Sequence, residues 1–166
     1  MEIQQASSAD FVEVLFLVKQ CVKDMNNKGL KQWNNSNPSP GQLKHDIEKN
    51  TLFLYKEMGV AKGMINLTDE ISDEYREVDW KSKPDKVLYV KRFAIHPLWQ
   101  DSDVSEKLLE FAEQYAKENN YTSIRLDALD NYPIDEKFFE SRKFTFAGTF
   151  QTSYQRAPYS CFEKSL

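Results

Sequence analysis

The segment VLYVKRFAI at 87–95 constrains this chain more than any other stretch, as a long apolar strand pattern broken only by Lys91-Arg92. It passes through His96-Pro97 and a polar loop into a segment where Val104, Leu108, Phe111, Ala112 and Tyr115 recur at helical spacing. A further strand pattern follows at 121–129, with Ile124, Leu126 and Ala128 alternating. Strand, crossover helix and strand in this order predict a parallel pair, because the helix carries the chain back to the starting edge. The turn into the helix has a second consequence. The first helical N–H groups have no acceptor within the helix, so they point outward and favour an anion.

The flanking elements predict antiparallel pairing. A short strand is expected at 2–5, and Ser7 or Ser8 then caps a helix with Asp10 in its first turn, where negative charge suits the dipole. Phe11, Leu15, Val18, Val22 and Met25 mark the apolar face of that helix, and Asn26-Asn27-Lys28-Gly29 ends it. A loop containing two prolines and Trp33 covers 30–41, followed by a second helix at 42–49. TLFLYKE, Met58-Gly59 and VAKGMINL then form a hairpin, with Gly63 marking a bulge or a close backbone approach. Residues 68–86 lack useful periodicity, and 69–79 set six acids against Arg76 alone, which predicts a solvated loop inserted between strands. After 121–129 come a helix at 133–142 and strands at 145–152 and 159–164, with Tyr154, Tyr159 and Phe162 read as sheet residues. No repeat or linker intervenes, so residues 1–166 are expected to form one α/β (α+β) domain. Its element order is β-α-α-β-β-β-α-β-α-β-β, a mixed, largely antiparallel central sheet with helices on both faces.

Charge and cysteine usage narrow the function. The formal charge of -4 argues against a nucleic-acid groove, which needs a basic face. No apolar run approaches the roughly 18 residues of a membrane span. The start, MEIQQASSAD, lacks the basic and apolar regions of a secretory signal, so a cytoplasmic location is expected. Cys21 and Cys161 fit no metal or redox spacing and are expected to be buried, reduced thiols, with no metal bound.

The element order, with Ile95-His96-Pro97-Leu98-Trp99-Gln100 at its centre, resembles the GNAT family of acyl-CoA-dependent N-acetyltransferases over essentially the whole chain. The family's central signature is an apolar strand, His-Pro, two residues and Q/R-x-x-G-x-G/A opening a helix. Gln100 stands at the Q/R position, and Val104 with Lys107-Leu108-Leu109 matches the helix start. FFESRKF at 138–144 is similar to the family's FYEKLGF, and LDALDNYP to the segment after the fifth strand. The resemblance implies a sheet whose parallel pair splays apart, acetyl-CoA as co-substrate, and direct attack by a primary amine of a small molecule. It implies no nucleic-acid or membrane partner and leaves a homodimer open. Backbone groups at Phe93 and Ile95 would pair with the pantetheine amides. Amides of Gln100, Asp101, Ser102, Asp103, Val104 and Ser105 would hold the pyrophosphate, and Asn131 would lie near the pantetheine. A tyrosine near the sulfur would protonate the leaving thiolate, and Tyr132 is the candidate.

Two departures define a second expectation, a non-catalytic GNAT-fold binding or assembly module. Asp101, Asp103 and Ser105 occupy the family's glycine positions. With Glu106 they put up to three negative charges around an anion site, each close pair repelling by on the order of 1 kcal/mol near a surface. Asp103 or Ser102 could also bond the free amides itself, and Asp103-x-x-Glu106 reads as a capping box, with Lys107 as partial compensation. The second departure is Phe139, which falls where FYEKLGF has its tyrosine. Of the remaining residues, His96 reads as a structural turn residue, and Trp33 as either an acceptor-pocket wall or core filling. Lys91 or Arg92 is expected to face solvent or a CoA phosphate. Asp127 and Glu70 are carboxylates that could order a catalytic water, and the acids at 69–79 could recruit a cationic acceptor such as a polyamine or amino sugar.

Overall fold

In the computed structural model, residues 2–129, 132, 134–153 and 158–166 are described. In chain order the elements are β1 (Ile3–Gln5), α1 (Phe11–Asn27), α2 (Pro40–Glu48), β2 (Leu52–Glu57), β3 (Val60–Thr68) and α3 (Asp73–Arg76). These are followed by β4 (Val87–Ile95), α4 (Val104–Glu118), β5 (Ser123–Leu129), α5 (Glu136–Ser141), β6 (Thr145–Phe150) and β7 (Tyr159–Ser165). The strands form one sheet in the order β1-β2-β3-β4-β5-β7-β6. The expected parallel pair is β4 with β5, in register at Val87↔Ser123, Leu88↔Ile124 and Tyr89↔Arg125. The pairs β1·β2, β2·β3, β5·β7 and β6·β7 are antiparallel. The chain packs as two units, 1–66 with 92–109 and 67–91 with 110–166.

In the first unit, α1 follows a capping box in which Ser7 N–H and Oγ both donate to Asp10 Oδ2, at 2.8 and 2.9 Å. Its buried stripe is Val14, Leu17, Val18, Cys21, Val22 and Met25. Three of the five expected residues, Val18, Val22 and Met25, lie on that stripe, and Phe11 and Leu15 are only half-buried. A short 3-10 turn over Ser8–Asp10 precedes the helix. Gly29, at φ 72, ends the helix as expected. The second helix starts earlier than expected, because Ser39 caps it and Pro40 takes its first position; Gln42 N–H donates to Ser39 Oγ at 3.1 Å. The β2·β3 hairpin shifts register at Tyr55/Lys56, beside Gly63, so the bulge reading holds.

In the second unit the insertion at 68–86 is not a solvated loop. Its acids face out, while α3 and the segment after it bring Tyr75 and Val78 into a cluster with Tyr89, Ala147 and Cys161. The far end is pinned by Glu163, whose Oε1 accepts the N–H groups of Lys81 and Ser82 at 2.6 and 3.0 Å. Glu163 is buried beside Arg125, at 3.4 Å, and the guanidinium lies 4.5 Å from the Trp80 ring centre. The expectation failed because Ile71, Tyr75 and Val78, at i, i+4 and i+7, make a helical signal too short to stand out among six acids, and only Asp73–Arg76 forms a helical turn. The helix expected at 133–142 is shorter, starting at Glu136 after its cap Asp135. Pro133, Asn131 and Tyr154 lie outside the described residues.

Candidate functional site

The first unit assembles Phe93–Ser105 on one strand, turn and helix start. β4 ends at Ile95, and His96-Pro97 turns the chain through one 3-10 turn over Pro97–Trp99. His96 Nδ1 accepts the Leu98 N–H at 3.2 Å, and its ring meets Trp99 edge-on at 4.7 Å. Its backbone N–H bonds Lys62 O of β3 at 2.8 Å. Burial lowers the His96 pKa from its ordinary value, so the neutral acceptor form prevails at neutral pH. The residue is structural, as its sequence context implied.

Gln100 braces the turn from the other side. Its Nε2 donates to Asp24 Oδ2 at 3.2 Å and to Ile95 O at 3.4 Å, and its Oε1 accepts from Lys28 Nζ at 3.3 Å. The residue thereby ties the loop to the C-terminal end of α1. Ile95 O also receives the buried Cys21 thiol at 3.5 Å. Burial, with Asp24 adding its charge, pushes that thiol up to about 12, so it stays protonated and a donor.

The loop bends without glycine. Among the described non-glycine residues, positive φ occurs at Asn50, Met58, Arg92, Asn120 and Lys143, and at none of Asp101, Ser102, Asp103 or Ser105. The acids therefore replace glycine at no cost in backbone strain. The glycine this site does require is Gly63 on β3. A Cβ there would lie 2.9 Å from both Val104 Cγ1 and Leu108 Cδ1, and 3.1 Å from Ala94 O. Its bare backbone lets the first turn of α4 seat closely.

The cap also differs from the expected box. Ser102 Oγ donates to Trp99 O at 2.5 Å and accepts the Val104 N–H at 3.4 Å. The carboxylate of Asp103 is instead drawn to Lys107 Nζ at 3.2 Å. Lys107 N–H makes the first intrahelical bond, to Asp103 O at 3.0 Å. The amide of Ser105 thus precedes the helix's own ladder. Lys107 Nζ also reaches Tyr55 Oη at 3.1 Å and Glu2 Oε2 at 3.2 Å. Those contacts, Tyr55 first, then Asp103 and Glu2, hold its pKa well above the usual lysine range.

A helix N-terminus of this kind favours an anion. The side chains oppose it, since Asp101, Asp103 and Glu106 are all exposed. Lys107 offsets one of the three charges. Arg92, at φ 49 within β4, gives its charge to Asp46 of α2 at 2.5 Å. Trp33 is buried and Phe93 half-buried.

The second unit holds the other sequence candidates. Tyr132 is buried, with its N–H bonded to Leu129 O at 2.8 Å. Phe139 is a core residue, stacked on Phe162 at 5.5 Å and edge-on to Phe144 at 6.1 Å. Asp127 on β5 receives the hydroxyl of the buried Tyr75 at 2.5 Å. Burial raises Asp127 to about 6 against the pull of that hydrogen bond; Glu74 adds to the rise and Lys91 opposes it. Glu70 is exposed. Sequence reasoning did not connect Tyr75 to Asp127, or Gln100 to Asp24 and Lys28. Those partners are far apart in sequence and share no local pattern.

The strand order, the single parallel pair and the strand–turn–helix at 87–109 are those of an acyltransferase fold, and residues 21–152 match the acetyltransferase (GNAT) domain. The chain belongs to the GNAT acetyltransferase family. Solved structures agree in fold. A GNAT-family acetyltransferase from Listeria monocytogenes aligns over 99% of this chain and 94% of its own, with TM-score 0.76 and 19% identity. The PaiA N-acetyltransferase from Thermoplasma acidophilum, solved in complex with coenzyme A, covers 99% and 98%, with TM-score 0.76 and 15% identity. The yncA protein from Salmonella typhimurium, solved with its cofactor acetyl-CoA, covers 99% and 92%, with TM-score 0.73 and 15% identity. A search of curated proteins found no significant match. Among the described residues, no helix is long and apolar enough to cross a membrane.

Proposed function

We propose that this protein is an N-acetyltransferase that moves the acetyl group of acetyl-CoA to a primary amine of a small molecule. The observation that carries this reading is the start of α4. In a chain of this family, the Ser105 amide stands ahead of the helical ladder, on a turn braced by His96, Gln100 and Ser102. Acetyl-CoA would supply an activated acetyl thioester. The amides from Gln100 to Ser105 would hold its pyrophosphate, and backbone groups at Phe93 and Ile95 would align the pantetheine. Asn131 would assist at the pantetheine. Tyr132 would return a proton to the departing thiolate, and Asp127, ionised above about pH 6, would take one from the attacking ammonium. The exposed acids at 69–79 favour a cationic acceptor. Isothermal titration with acetyl-CoA tests the site, and thiol release with a panel of amines tests the transfer. No heat at high micromolar acetyl-CoA would remove the proposal.

A second reading has its own observations. Asp101, Asp103 and Glu106 surround the anion position, and Phe139 takes the family tyrosine's place inside an aromatic core. Together they support a binding module that keeps the fold without the transfer. Acetyl-CoA binding without thiol release for any amine favours this reading over the first.

A further inference from the structure

α1 carries a groove at the edge of its buried stripe, bordered by Val18 and Val22 of that stripe, and the groove has two chemically distinct halves. One half is a cavity of about 520 Å³ lined by Leu15, Phe16, Val18, Val22, Pro38 and Pro40. Phe16 stands 57% exposed at its rim, an aromatic ring left in water. The other half, of about 390 Å³, shares Lys19, Val22 and Asn35 with the first and continues along Lys23, Asn26 and Asn27. Every one of these residues belongs to the first unit.

The charge along this groove is uncompensated. Glu13 and Asp24, the acids of α1, are already paired, with Lys56 at 2.7 Å and Lys28 at 3.0 Å. Lys19 and Lys23 are exposed and, among the described residues, have no ion-pair or hydrogen-bond partner. They lie one helical turn apart, where two like charges repel by a few tenths of a kcal/mol. From Met25 to His45 the chain holds three lysines and no carboxylate, in a protein whose net charge is -4. From Leu15 to Lys23 the helix rises about 12 Å, which sets the distance between the apolar end and the cationic end.

We infer that this groove binds an anion-headed amphipath, with its apolar tail along Leu15, Phe16 and Val18 and its carboxylate or phosphate head at Lys19 and Lys23. The site is separate from the α4 turn and does not depend on acetyl transfer. Burying a medium-length tail covers the Phe16 ring and the two prolines, and the head relieves the lysine–lysine repulsion.

Decanoate and decyl phosphate test the inference by isothermal titration on the full chain, with decyltrimethylammonium and acetate as controls. The two anionic tails should bind with one site per chain, and the tighter of the two identifies the head. Neither control should bind. The exposed double variant Lys19→Glu/Lys23→Glu should weaken binding by about tenfold, as expected when two surface charge contacts turn repulsive. Phe16→Asp, also at an exposed position, should weaken it by a similar factor. Both variants should keep the wild-type unfolding midpoint. Equal binding of the cationic tail would overturn the inference, as would unchanged affinity in both variants. A concentration-dependent dimer in sedimentation that Phe16→Asp abolishes would also overturn it, because a second copy would then be what covers this face.

Discussion

The acids at 101–106 and those at 69–79 belong to stretches of similar charge, and the fold uses them in opposite ways. Around Asp101, Asp103 and Glu106 the acids stand out in solvent on a turn braced by neutral groups and backbone amides. Around Asp69–Asp79 the acids also face water, yet between them Tyr75 and Val78 plunge into the core of the second unit. Each unit thus carries one acidic surface. The first is anchored through one aliphatic side chain, Val104, and the second through a cluster of aromatic rings. The difference teaches that acid content says little about whether a segment is loose; the aromatic residues between the acids decide.

Truncating Tyr75 is the strongest way to break that comparison. Its ring lies 5.3 Å from Trp80, 5.8 Å from Tyr89 and 6.0 Å from Phe150, and its hydroxyl is held by Asp127. Tyr75→Ala should cost about 3–5 kcal/mol in urea unfolding, the range for emptying an aromatic core site. Tyr75→Phe should cost about 1–2 kcal/mol, for the hydrogen bond alone. A loss below about 1 kcal/mol in the alanine variant would mean that the insertion is merely resting on the surface.

The sequence carried the sheet and the family clearly, and the reason is local. Alternation in β4 and β5, the helical spacing after Val104 and the His96-Pro97 turn each depend on residues close together in the chain. What it hid was made by distance. Gln100 meets Asp24 and Lys28 some seventy residues away, and Lys107 meets Glu2 across 105 positions. The loop bends on ordinary backbone at the family's glycine positions, and the glycine that the packing requires is Gly63 on another strand. A motif reports which residues line a turn. Which of them are already occupied depends on partners that no local pattern encodes.

Asp127 sharpens the comparison through pH. Its pKa in the fold is about 6, against 3.8 ordinarily, so the folded state favours the protonated carboxyl. The stability this provides is fully present below about pH 4, is lost as pH rises through 6, and changes little beyond. Asp127→Asn stays neutral and can still accept the Tyr75 hydroxyl. The variant should therefore gain on the wild type between pH 4 and pH 7, by on the order of 2 kcal/mol in urea unfolding. A constant difference across that range would mean that Asp127 titrates normally and that its surroundings are wetter than the packing implies.

At the other acidic surface the expected effect is on ligand affinity. Because the loop needs no left-handed residue, Asp101→Asn/Asp103→Asn should tighten acetyl-CoA about tenfold by removing two charges from the anion position. The double glycine variant should do no better, since it removes the same charges and adds only unneeded flexibility. Glycine outperforming asparagine in titration would show that the bound loop adopts a backbone the free one does not.

The smallest effect separates charge from capping at the same residue. Asp103 is 60% exposed and its partner Lys107 36% exposed, and such a pair contributes about 0–1 kcal/mol. Lys107 would keep Tyr55 and Glu2 after Asp103→Asn, so its position should not change. The urea midpoint of that variant should fall by no more than about 0.5 kcal/mol of stability. A loss well above 1 kcal/mol in Asp103→Ala, which leaves no side-chain acceptor, would instead be the signature of a cap. Asp103 would then be holding the very amides that a pyrophosphate needs. In that case tighter acetyl-CoA binding in the alanine variant would come from freed donors as well as from relieved repulsion. Raising the salt concentration distinguishes the two, because screening erodes an advantage built on exposed charge and leaves a freed hydrogen bond largely intact.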